Sequence, residues 1–155
     1  MMLRNCFYLL ERRWVAEAWA GRPSARIQGN NGKGEESMGF AEKLEAYGVD
    51  VAATMERVAN SEQLYLRCLD IFIEDTNLDK LKSAVEQGDW RSGFEAAHAL
   101  KGVSANLGLQ PFLDRICAMV EPLRRQDAAT DYPSLYEAVV QEMERVKRLR
   151  AELGE

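Results

Sequence analysis

From Met38 onward the apolar residues recur three and four positions apart, and no run combines strict alternation with the turn residues expected of strands. The spacing predicts short helices over Gly39 to Tyr47 and Asp50 to Ala59, with Asp50 as the N-cap of the second. Ser61 opens the next helix, which runs to Asp75. Its apolar residues, Leu64, Tyr65, Cys68, Leu69, Ile71 and Phe72, cover a wide arc that suggests a central bundle helix. Leu78 to Gln87 reads as a helix closed by Gly88, and Asp89 then caps a long helix ended by Gly108. On that helix Ala97, Leu100, Ser104 and Leu107 form the inward stripe, with Trp90 near it. Gln110 and Pro111 start another, with Phe112, Leu113, Ile116, Val120 and Leu123 on one side and Pro122 expected to kink or fray its last turn. The last begins at Tyr132-Pro133 and runs to about Leu153 along a seam of Leu135, Val139, Met143, Val146 and Leu153, leaving the charged run Glu142 to Glu152 as a solvated face. The fold class is therefore all-α, an up-and-down four-helix bundle with short additional N-terminal helices.

The first 37 residues follow a different pattern. Gly21 to Ser37 is rich in Gly, Asn and Ser and reads as a linker. Leu3, Phe7, Leu10 and Trp14 recur at helical spacing, but Glu11-Arg12-Arg13 interrupts any export-signal core. This segment could be a disordered tail, a partner-binding amphipathic helix, or sequence upstream of a start at Met38. The preferred division is a flexible or weakly helical tail over 1–37 and a bundle domain over 38–155.

Length and charge narrow the class of protein. At 155 residues and 46% hydrophobic content, the chain holds one domain of ordinary size. Its longest apolar pieces are broken by Glu17 and Asp70, far short of a membrane span. Residues 1 to 34 carry six Lys/Arg against two Asp/Glu, and residues 35 to 155 carry fourteen against twenty-three. The basic excess is short and confined to the N-terminus, so nucleic-acid binding has little support. Cys6, Cys68 and Cys117 are too scattered for a zinc or disulfide framework; Cys68 and Cys117 read as small core residues, and the cytoplasm is the expected compartment.

The second stripe of the long helix changes the picture. His98, the only histidine, shares it with Lys101, Gly102 and Ala105 at i+3, i+4 and i+7, while the apolar stripe faces the core. The imidazole should then stand in water, with an ammonium one turn away and no side chain beside it. A neutral ring nitrogen can attack phosphorus to form a labile phosphoramidate, and Lys101 would offset the phosphoryl charge. Gly102 costs about 1 kcal/mol relative to Ala in a helix, which close approach by another protein would explain. Phe94, one turn before His98, is either a docking contact or a cover for a neighbouring helix.

Ala97-His98-x-Leu100-Lys101-Gly102-x-Ser104-x-x-Leu107-Gly108 resembles the phosphorylation motif of histidine-containing phosphotransfer (HPt) domains, and residues 40 to 153 read like such a domain throughout. The resemblance implies His98 as phosphoacceptor, Lys101 as charge partner and Gly102 as clearance for a docking receiver domain, with Phe94 and Ala105 on the docking face. Some members of that family also place a polar residue, often glutamine, on the following helix near the phosphohistidine, and Ala118-Met119-Val120-Glu121 does not offer one clearly. The implied protein is a monomeric phosphocarrier between the receiver domains of a hybrid sensor kinase and a response regulator. It would need no cofactor, with Mg²⁺ on the receiver. The chain has no GxxxxGK[ST] loop and no glycine-rich nucleotide lid, so autonomous kinase activity has no support. The alternatives are a non-phosphorylatable docking module that sequesters a receiver or kinase, and an enzyme with His98 as general base, which would need a pocket and a second group such as Glu95.

Overall fold

In the computed structural model the described residues are 38–154; Cys6 and the expected tail and linker over 1–37 lie outside them. Seven helices make up this part of the chain: α1 (Phe40–Tyr47), α2 (Val51–Arg57), α3 (Glu62–Ile73), α4 (Asn77–Gln87), α5 (Trp90–Asn106), α6 (Gln110–Arg125) and α7 (Tyr132–Leu153). No strand occurs among the described residues, and the all-α expectation holds.

Local chemistry explains where the helices start. A backbone N–H three residues on donates to the side chains of Asp50, Ser61, Asp89 and Asp131, each satisfying one of the orphan donors of a first turn. Short connections then force neighbours to run antiparallel. Gly88 and Asp89 alone separate α4 from α5, and residues 107–109 separate α5 from α6. Gly108 makes the second turn possible for two reasons. Its φ of +67° lies in the left-handed region, and a Cβ there would run into the Thr54 hydroxyl and the Val49 side chain.

Helices α4 to α7 pack in a ring, each against the next and α7 against α4. Their interior is filled by Leu81 of α4, Ala96, Ala97 and Leu100 of α5, Phe112, Ile116, Met119, Val120 and Leu123 of α6, and Val139, Met143, Val146 and Leu149 of α7. The N-terminal helices form an outer layer. Tyr65, Leu69 and Phe72 of α3 and Leu44 and Tyr47 of α1 are buried with this core, and Phe72 meets Phe112 edge-on at 5.0 Å.

Three expectations need correction. Helix α3 is not central: it lies mainly against α7, and Ile71 is 43% exposed, because only one side of α3 has a neighbour. Pro122 lies inside the last turn of α6, which continues to Arg125; the missing N–H removes a single bond there, and the buried Leu123 anchors the turn in the core. The seam of α7 holds at the buried Val139, Met143 and Val146 but also includes the buried Leu149, while Leu135 and Leu153 pack half-buried against the core. The run Glu142 to Glu152 is not uniformly solvated. Glu142 is 5% exposed, accepts a hydrogen bond from the Tyr47 hydroxyl at 2.8 Å and pairs with Arg145 at 3.0 Å, while Arg150 makes a two-pronged pair with Asp70 of α3.

Candidate functional site

Helix α5 is set up from its N-terminus. Asp89 accepts from the Ser92 backbone at 3.1 Å and the Ser92 hydroxyl at 2.6 Å, and these bonds hold its carboxyl below the usual carboxylate range. Small residues then let the neighbouring helices close in. Gly93 is buried, and a Cβ at that position would lie 3.1 Å from a Leu123 methyl and 3.5 Å from the Ala84 methyl. Ala96 and Ala97 continue the close packing, and Leu100, Ser104 and Leu107 complete the inward stripe. The Ser104 hydroxyl is satisfied by the Lys101 carbonyl at 3.1 Å, which explains its tolerance in the core.

With that stripe inward, rotation by half a turn leaves His98 exposed. The Phe94 ring lies 5.5 Å from the imidazole, tilted by 33°, and is partly buried against the core cluster. Lys101 is half-buried and makes no ion pair or hydrogen bond through its side chain among the described residues. Gly102 is exposed, and a Cβ built there would meet nothing within 4 Å, so its bareness is not required by the fold. Ala105 is exposed one turn further on. The structure thus brings Phe94, His98, Lys101, Gly102 and Ala105 onto one open face.

Glu95, the second group considered for general-base chemistry, is paired with Arg91 at 3.7 Å on the exposed surface. Clefts occur between α4 and α5, between α6 and α7, and beside α1 and α7, and His98 lines none of these three. No cluster of three or more His, Cys, Asp or Glu side chains among the described residues could hold a metal ion. Nor is any described helix long and apolar enough to cross a membrane. Cys68 and Cys117 are both half-buried free thiols, with burial pushing the Cys68 thiol up.

One neighbour of this face was not legible in the sequence. Arg57, at the end of α2, donates through Nη1 to the carbonyl oxygens of Ala105 at 3.2 Å and Asn106 at 3.4 Å. Nothing in a contact spanning 48 residues carries a local sequence signal.

The exposed histidine thus stands on a small-residue helix face at the edge of the four-helix ring. The Hpt domain family model matches residues 67–149, more than half of the chain, and the chain belongs to the Hpt domain family. It is a phosphotransfer module of two-component signalling, in a family whose members are phosphocarriers rather than kinases and interact with receiver domains. No curated protein and no solved structure matched the chain.

Proposed function

We propose that this chain is the intermediate of a phosphorelay, carrying a phosphoryl group on His98 between the receiver domains of a hybrid sensor kinase and a response regulator. In the accepting step a neutral ring nitrogen of His98 attacks the phosphorus of an aspartyl phosphate. The N–P bond forms as the P–O bond to the aspartyl carboxylate breaks, and the carboxylate leaves with the electron pair. The reverse step on a second receiver restores the imidazole. Mg²⁺ belongs to the receiver, and the chain adds no cofactor of its own.

The observation that carries this reading is the open space over Gly102 beside an exposed His98. In-line transfer needs the partner's aspartate within bonding reach of the ring nitrogen, and a bare backbone one turn away admits it. Lys101 is positioned to offset the phosphoryl charge, and its lack of a carboxylate partner among the described residues leaves it available for that. Phe94 and Ala105 flank the imidazole as docking contacts. The working form is a cytoplasmic monomer with the bundle over 38–155 as its active unit.

The test is phosphoryl transfer from a pre-phosphorylated receiver domain to the wild-type chain and to His98→Gln. Acid-labile, alkali-stable label on the wild type alone is expected. Label on neither protein, despite binding, would leave a docking module that holds a receiver without accepting phosphate.

A further inference from the structure

The His98 face does not end with its own helix. Ala105 and Asn106 lie in the last turn of α5, where the Ala105 carbonyl accepts from the Gly108 N–H at 3.2 Å and no backbone donor reaches the Asn106 carbonyl. Arg57 reaches them from α2, and its guanidinium is thereby fixed at the end of the exposed stripe. Both of these bonds come from Nη1, and among the described residues Nε and Nη2 make no other hydrogen bond or ion pair. A guanidinium has five donors in a plane, so several still face outward from an exposed side chain.

Distance and charge give that position a meaning. Seven residues of helix separate His98 from Ala105, a rise of about 10 Å. A receiver bound through a footprint of about 800 Å² reaches roughly 15 Å from its centre, so docking centred on His98 covers Arg57 as well. One stripe of α5 is too narrow to supply such a footprint. The surrounding domain is acidic, with fourteen basic against twenty-three acidic residues from position 35 onward, which makes two cations on the same side of His98 conspicuous. A receiver offers the opposite charge at its phosphorylation site, where an aspartyl phosphate sits beside the carboxylates that hold Mg²⁺.

We propose that Arg57 is a docking residue for the receiver domain, contacting the anionic rim of its phosphorylation site and extending the interface from α5 onto α2. The inference rests on the relay reading above. It also assigns a role in recognition to a residue that precedes the stretch matched by the family model.

The experiment uses the full chain, purified receiver domains from the same genome loaded with beryllofluoride, and the variants Arg57→Gln and Arg57→Glu. Gln keeps a donor for the α5 carbonyls but removes the charge; Glu reverses it. Loss of binding of about three- to tenfold is expected for Gln, with a larger loss for Glu, and both variants should show a shallower dependence on salt. The melting temperature of free Arg57→Gln should stay near that of the wild type. Wild-type affinity in both variants at low salt would overturn the proposal, as would an affinity loss that merely tracks a fall in melting temperature, since Arg57 would then be only a helix cap. Failure of every receiver to bind the wild type would overturn this inference and the relay reading together. Arg57-dependent binding with no label on His98 would uphold the docking role and overturn the relay alone.

Discussion

Two glycines on α5 look alike in sequence and have opposite meanings in space. Gly93 is buried where Leu123 and Ala84 converge, so any side chain must push one of them aside. Gly102 faces outward with nothing near it, so the fold alone would be better served by alanine. Gly102→Ala should therefore stabilise the domain by about 0.5–1 kcal/mol, whereas Gly93→Ala should destabilise it by about 1 kcal/mol or more through overpacking. Chemical denaturation of the two variants measures both signs directly. A bulkier Gly102→Gln should fold normally yet lose about tenfold or more in transfer from a receiver, because misplacement by an ångström is enough to spoil in-line attack. Equal transfer by Gly102→Gln and wild type would remove clearance as the reason for this glycine. The stripe that places His98 outside could be read from residue types alone; the difference between the two glycines could not, because it depends on which helices lie above each.

At the scale of the element, α5 and α7 begin in the same way. Asp89 and Asp131 each accept a backbone and a hydroxyl hydrogen bond from a serine three residues on, and in both cases the bonds to that serine hold the carboxyl below its ordinary value. A carboxyl whose folded pKa is lowered stabilises the native state above its unfolded value of about 3.9, and that stabilisation is lost as pH falls through the folded value. The melting temperature should accordingly fall below about pH 4 as the two caps protonate. In the double variant Asp89→Asn, Asp131→Asn the acid limb should be flatter, since asparagine caps without titrating. Thermal scans between pH 6 and pH 2.5 decide the matter, and parallel acid limbs would assign the loss to other carboxylates. Most helix boundaries were legible because caps and turn glycines are local signals. The position of α3 was not, since its wide apolar arc says how much it could bury and not what is available to bury it.

For the whole molecule, the notable feature is how much of the core comes from outside the four-helix ring. Leu44, Tyr47, Val49, Met55 and Val58 all belong to the buried cluster and all precede the family-matched stretch. They cover the end of the bundle at the α5–α6 turn, where Tyr65 also donates to the Leu107 carbonyl at 3.0 Å, and the side of α7, where Tyr47 bonds the buried Glu142. Burying a large apolar side chain is worth about 1.5–3 kcal/mol, and a domain's net stability is only about 5–15 kcal/mol. A chain beginning at Ser61 should thus melt at least about 10 °C below the full chain, with the Glu142 carboxylate exposed. Unfolding followed by circular dichroism tests this, and an unchanged transition would show the outer layer to be an accessory without structural weight.

What the sequence by itself determined is what repeats at short range. Helical periodicity, caps and turn glycines defined the elements, and the stripe of small and polar residues around His98 defined an outward face of α5. Those follow from bonds and spacings within a few residues, where the chain has little choice. Only the tertiary structure decided which partner each face meets: that Glu142 is sealed under Tyr47 instead of solvated, that Ile71 is left outside, and that Arg57 arrives at the end of α5. Such contacts join residues tens of positions apart, and their geometry depends on the packing of every helix between them.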